Sequence, residues 1–136
     1  MGSAATITIS RASSSFTHTL TYKFGNTTGT IAAKTTSTSV SWTPAASLAN
    51  QIPSTTSGSC TITCDTYSGS TKIGSKTCTL TLTVPPSVKP TLTSVTASRI
   101  DESVPSAWGI YVQTKSKVKL TINGAAGSNG STIKSY

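Results

Sequence analysis

Large apolar residues recur at every second position through much of this chain. The clearest run is Phe16, His18, Leu20, Tyr22 and Phe24, separated by Thr17, Thr19, Thr21 and Lys23. A period of two sends alternate side chains to opposite faces of an extended backbone, so it marks a strand with one buried and one wet face. Shorter runs of the same kind predict strands at residues 6–9 and 39–42. In the second of these Val40 and Trp42 share a face, which makes Trp42 a core candidate. Two further strands are predicted at 60–64 and 78–84. There Cys60, Ile62 and Cys64, then Cys78, Leu80, Leu82 and Val84, take the apolar positions. Ser68, Gly69 and Ser70 lie between them as a hairpin turn. Pairing Tyr67 with Thr71 across that turn sets Cys60 opposite Cys78, and a bulge would bring Cys64 there instead. Residues 25–29 read as a turn, 31–34 as a short edge strand, and 45–50 as a single helical turn.

Residues 1–85 thus hold about six or seven short strands with turns at sandwich spacing. The fold class is all-β, with an immunoglobulin-like or fibronectin III-like β-sandwich over 1–85. Pro85, Pro86 and Pro90 break strand pairing and favour a stiff linker at 86–90. Residues 91–136 carry fewer strand signals, at 91–95, 109–113 and 117–122. A polar loop is expected at 99–106 and a turn at Asn123 and Gly124. The start of a second, truncated β-sandwich module is expected here, and such a fragment would expose an unpaired edge.

Composition narrows the function. Charged residues are 10% of the chain, against roughly a quarter in ordinary globular proteins. Thr and Ser dominate instead. The acids are Asp65, Asp101 and Glu102 alone, and there is one histidine, His18. That leaves little material for acid–base catalysis. Asp101 and Glu102 are adjacent, so on a strand they point opposite ways and do not converge on a sugar. Nucleophile-elbow, nucleotide-loop and zinc-protease patterns are absent. The chain is therefore expected to be no enzyme and to use no cofactor or metal.

Three cysteines make no disulfide framework, and zinc would want four ligands at finger-like spacing. The alternation puts Cys60, Cys64 and Cys78 on the core face with Ile62 and Leu80. They are read as buried thiols, with a cross-strand disulfide from Cys78 to Cys60 or Cys64 as the alternative. His18 alternates with Phe16 and Leu20 as a core-edge residue.

The net charge is +8, but the 11 basic residues are scattered. A nucleic-acid reader would gather them into one patch. The densest group, Lys115, Lys117 and Lys119, alternates and so shares one strand face. It is either a solvated face that discourages edge aggregation or a contact for an anionic surface such as a cell-wall polymer. Tyr67, Trp108 and Tyr111 are the rings that would stack on sugar if the module bound carbohydrate. The binding candidates are therefore Lys115, Lys117, Lys119, Trp108 and Tyr111. No run approaches a membrane span. The start, Met1, Gly2, Ser3 and Ala4, lacks the features of a signal peptide.

Several stretches resemble a known family. They are residues 10–20 (SRASSSFTHTL), 39–44 (SVSWTP), 60–64 (CTITC) through 67–70 (YSGS), and 95–98 (VTAS) through 108–113 (WGIYVQ). They are similar to minor structural proteins of long-tailed, siphovirus-type phages and prophages of Gram-positive bacteria. The resemblance covers most of the chain and rests on structural, not catalytic, motifs. It implies a virion or tail-associated β-rich protein, with contact to the host envelope as a further expectation, and it carries over no functional residue. The leading expectation is a non-catalytic structural or adhesion module of a phage tail. Its partners would be other virion proteins or copies of itself, with bacterial cell-wall polysaccharide as a further candidate. Nucleic acid and membrane insertion are not expected. The rivals are a carbohydrate-binding module, a bacterial surface repeat at the cell surface, and an accessory domain of a cell-wall hydrolase.

Overall fold

The computed structural model describes residues 1–100, 110, 112–127 and 129–133. The chain is mostly β and divides into two compact units, Met1–Val88 and Lys89–Tyr136.

In the first unit the period-two runs all become strands. They are β1 (Ala5–Thr8), β2 (Thr17–Phe24), β3 (Thr27–Thr35), β4 (Ser39–Trp42), β5 (Ser57–Ser68) and β6 (Thr71–Thr83). Two antiparallel sheets result, one of order β1-β4 and one of order β3-β2-β5-β6. The even positions of β2 face inward, so His18, Leu20 and Phe24 are buried while Lys23 is exposed. Leu20, Phe24, Cys60, Ile62 and Leu82 of the larger sheet form one core with Ile9 and Leu48. Ile7, Val40 and Trp42 of the smaller sheet pack against it. Each fully buried Leu, Ile or Phe in such a layer stabilises the fold by about 1.5–3 kcal/mol. Trp42 meets Tyr22 across the layers, with ring centroids 4.8 Å apart and planes tilted by 30°. It is half-buried, at the margin of the core.

Three local readings change. Phe24 pairs with Thr27, so the first hairpin loop is only Gly25 and Asn26, with Gly25 at φ 56°. Glycine at the first central position suits a tight II′-type hairpin. The turn is therefore shorter, and β3 longer, than the run of small polar residues suggests. The helical turn is 3-10, spanning Ala46–Gln51, and it drops Leu48 and Ala49 into the interior. The proline cluster opens not as an extended spacer but as a second 3-10 turn, Pro86–Val88, with Val88 buried.

The second unit contains a two-stranded antiparallel ribbon, β7 (Thr91–Ile100) and β8 (Lys117–Ala125). Val95, Ala97 and Arg99 stand opposite Ile122, Leu120 and Val118. One face is thus largely apolar, and Lys117 and Lys119 stand on the other. β7 continues to Ile100, through residues read as the start of a loop. Asn123 and Gly124 are strand, not turn. Asn123 Nδ2 donates to Ser94 Oγ at 2.9 Å, and the Ile133 side chain fills the space where a Cβ at Gly124 would stand. Cross-strand partners override the local turn preference of the Asn-Gly pair. Of the strand expected at 109–113, Ile110, Val112 and Gln113 are not strand. Gly109 and Tyr111 lie outside the described residues.

Candidate functional site

The most informative region is the long β5–β6 hairpin. Its loop is Gly69 and Ser70, because Ser68 pairs with Thr71 and Tyr67 with Lys72. A bulge follows, so Thr66 pairs with Gly74, and from there the register is uniform. Cys78 ends opposite Ile62, diagonal to both Cys60 and Cys64, and Cys60 stands opposite Leu80. The expected pairing of Cys60 with Cys78 is therefore two residues out of step. Diagonal neighbours on a sheet have Cα atoms about 7–8 Å apart, beyond the usual reach of a disulfide. All three cysteines are free thiols. Cys60 is buried and Cys64 half-buried, but Cys78 is exposed, against the reading of three core thiols.

Burial pushes the Cys60 thiol above its ordinary pKa, and the nearby Cys78 adds to the rise. Burial raises Cys64 as well, followed by the charge of Asp65 and then Cys78. Both stay protonated at neutral pH, the opposite of what an activated nucleophile needs. His18, at 2% exposure, shares a hydrogen bond of 3.1 Å between its Nδ1 and the hydroxyl of Thr66. The Cys64 Sγ lies 3.9 Å from the same nitrogen. Among the described residues no group of three or more His, Cys, Asp or Glu side chains is placed to hold a metal ion.

Cys78 is exposed because the covering layer does not reach residues 71–79 of β6. The smaller sheet has two strands and the larger has four. Residues 71–79 of β6 are exposed on both faces. The inward row of β6 includes Lys76, which stands opposite Cys64. An open groove of about 410 Å³ runs between β1 and β6, with Ile7, Ile9, Leu20, Ile62, Cys64 and Cys78 among its lining residues. Among the described residues, no strand pairs with the outer edge of either β1 or β6. Sequence reasoning missed this groove. The available signal was Lys76 and Gly74 at inward positions of β6, where a covered strand would carry apolar side chains.

On the outer face of the hairpin, Asp65 accepts from Lys72 Nζ at 2.7 Å and from Ser75 Oγ at 2.6 Å. These hydrogen bonds, that to Lys72 first, hold the Asp65 carboxyl below its ordinary pKa and raise that of Lys72. Tyr67 is no open platform. The Lys34 ammonium lies 3.1 Å from its ring centroid, a cation–π contact that occupies one face of the ring. Lys34 sits at φ 48°, and its N–H donates to Thr19 Oγ1 at 3.2 Å. The left-handed backbone, uncommon for a non-glycine residue, marks an irregularity in β3 at that point.

The three candidate lysines do not form one row. Lys117 and Lys119 stand on the same face of β8, opposite Ile100 and Ser98. Lys115 belongs to the preceding turn, where its N–H donates to the carbonyl of Val112 and Thr114 takes φ 66°. The strand begins two residues later than the alternation of lysines suggests. Trp108 and Tyr111 lie outside the described residues. No helix among the described residues is long and apolar enough to cross a membrane.

A family model described as a siphovirus protein of unknown function (DUF859) matches residues 1–136, the whole chain. The chain belongs to this siphovirus family. The resemblance to phage proteins read from the sequence is therefore shown at family level, and this member of the siphovirus family is a phage-associated, β-rich protein. No curated protein and no solved structure matches it.

Proposed function

We propose that this siphovirus-family chain is a non-catalytic structural module of the phage particle, placed in the tail and acting in assembly or host-surface contact. The observation that carries the reading is family membership over the full chain, joined to a molecule built of β units with hydroxyl-rich outer strand faces. The two raised, proton-bearing thiols and the pairing of Asp65 with Lys72 and Ser75 support the non-catalytic part. Partners on this reading are other virion proteins, copies of the chain itself, or the polysaccharide of the host wall.

The first unit is proposed to be an immunoglobulin- or fibronectin III-like sandwich. In such sandwiches strands B and E pair in one sheet, while C′, C, F and G share the other. The pair β1-β4 and the order β3-β2-β5-β6 reproduce that connectivity with β1 as B and β6 as G. Strand A, which would flank B, has no counterpart among the described residues.

Gold-labelled antibody against the chain, applied to purified particles, tests the location, and label at the tail is expected. Particles free of the protein by mass spectrometry would overturn the virion reading. Labelled protein added to host cells and stripped walls separates the two roles. Binding to walls selects host contact, and binding only to tail proteins selects assembly. Release of reducing sugar or peptide from those walls would overturn the non-catalytic assignment.

A further inference from the structure

We infer that the groove between β1 and β6 is a strand-acceptor site, and that its occupant is strand β8 of a second copy of this chain. This deepens the assembly reading by naming the partner and the surface. The first unit offers what a donor strand needs. The outer edge of β1 presents unpaired backbone groups, and the groove floor presents Ile62, Cys64 and Cys78. Adding an extended segment to such an edge gives affinity through main-chain hydrogen bonds, with alternate side chains entering the groove for specificity.

The second unit offers a donor. Among the described residues the β7–β8 ribbon is two-stranded, and most of its apolar face is exposed. Val95, Val118 and Leu120 are 57%, 53% and 61% exposed. An isolated two-stranded ribbon is marginal in water, and further strands or a packed layer stabilise it. Among the described residues β8 pairs on one side only, with β7. Its Val118, Leu120 and Ile122 repeat at period two, the spacing at which side chains of an added strand enter a groove. Docked on β1 with this row inward, β8 covers Cys78 and the inner face of β6. Lys117 and Lys119 then remain in water. Each chain carries one groove and one ribbon, so the deficit of one copy matches the surplus of the next. A reciprocal exchange closes as a two-fold dimer, and a head-to-tail series gives a ring or a fibre.

Cys78 supplies a built-in reporter. In dilute full-length protein its thiol should react readily with a maleimide, with the site identified by peptide mapping. As protein concentration rises, Cys78 labelling should slow and the mass by light scattering should at least double. Leu120→Lys spoils the donor and Cys78→Phe fills the acceptor. Both positions are exposed in the single chain, and circular dichroism verifies that each variant folds. If Leu120→Lys fails that check, Val118→Lys replaces it. Each variant alone should stay monomeric, whereas their mixture should form one-to-one pairs, because each retains the part the other has lost.

A wild type that remains monomeric with reactive Cys78 at its highest soluble concentration overturns the proposal. So does assembly that neither variant weakens, or Cys78 protection that does not change on dilution. None of these results bears on whether the protein is present in the particle, so the two readings fail separately.

Discussion

The two units are written in the same alphabet and end differently. In both, apolar residues alternate with Thr, Ser or Lys, and in both the alternation becomes antiparallel strand. In β2 it yields Leu20 at 0% and Phe24 at 1% exposure, whereas in β8 it leaves Leu120 at 61%. Period two fixes which face a side chain joins. It does not fix whether a second layer covers that face. Coverage needs a partner sheet, and β1 with β4 supplies one over the middle of the first unit only. Even within that unit the contrast recurs. The inward row of β6 runs from buried Leu82 through half-buried Leu80 to exposed Cys78 as the covering layer runs out.

The sharpest way to break this comparison is to delete matched apolar bulk from each unit. Phe24→Ala removes a ring at the centre of a closed core, and such truncations typically cost about 3–5 kcal/mol. The first unit should lose most of its stability in urea unfolding. A loss below 1 kcal/mol would mean that the layer over Phe24 is loose. Gly58→Ala tests the same packing from the opposite direction. A Cβ there would lie 2.9 Å from the Phe24 ring and 3.3 Å from Ile52. Overpacking of this kind costs about 1–3 kcal/mol, and a smaller midpoint shift would show that the ring has room to yield. Leu120→Thr is the matched change in the second unit. In dilute solution it should alter stability by no more than about 0.5 kcal/mol, as exposed substitutions usually do. Native-state hydrogen exchange should show the same ordering, with amides of β2 and β5 outlasting those of β7 and β8.

Much of the first unit was legible in the sequence because its signals are local. Alternation in β2, β5 and β6 and the small residues at Gly25 and Gly69 mark strand and turn directly. The coverage of the strands was not legible. The two-residue loop at Gly69 and Ser70 and the bulge at Thr66 and Tyr67 each shift the hairpin register by one, and together they move Cys78 from opposite Cys60 to opposite Ile62; no residue type announces the bulge. Asn123 and Gly124 carry a genuine turn signal. Ser94 and Ile133, about thirty and nine positions away in the chain, overrule it with a hydrogen bond and a filled space. Of the site residues, Lys117 and Lys119 were legible as a face. Lys115 was not, because the turn that holds it is closed by Val112 and Ser116, through backbone bonds to the Val112 carbonyl and the Ser116 hydroxyl accepting from the Val112 N–H, and the lysine side chain has no part in these bonds. The groove depends on β1 having no further neighbour among the described residues, and a pattern of present residues reports such an open face only through oddities like Lys76.

The smallest expected effect lies where the first unit most resembles the second, at the hairpin end beyond the covering layer. There Asp65, Lys72 and Ser75 join β5 to β6 in place of packing. Asp65 is held below its ordinary value of 3.8 by its hydrogen bonds to Lys72 and then Ser75. A carboxyl with a depressed folded pKa adds stability that is present above the unfolded value and is lost as pH falls through the folded one. Lys72, raised above 10.5 by the same bond, adds stability that is complete below that value and fades as pH climbs through the folded one. The window of full effect is therefore the broad neutral range, with a loss at each end. Both groups are solvent-accessible, so salt screens the pair and the contribution is small. At pH 6 the amides of the hairpin end should exchange faster in Asp65→Asn than in wild type, while those of β2 stay unchanged. Below the folded Asp65 pKa the two proteins should exchange alike. Equal exchange at pH 6 as well would locate the contribution of Asp65 in its hydrogen bond from Ser75, which Asn can also accept, and not in its charge. The comparison would then read as two uncovered ribbons distinguished by neutral hydrogen bonds alone.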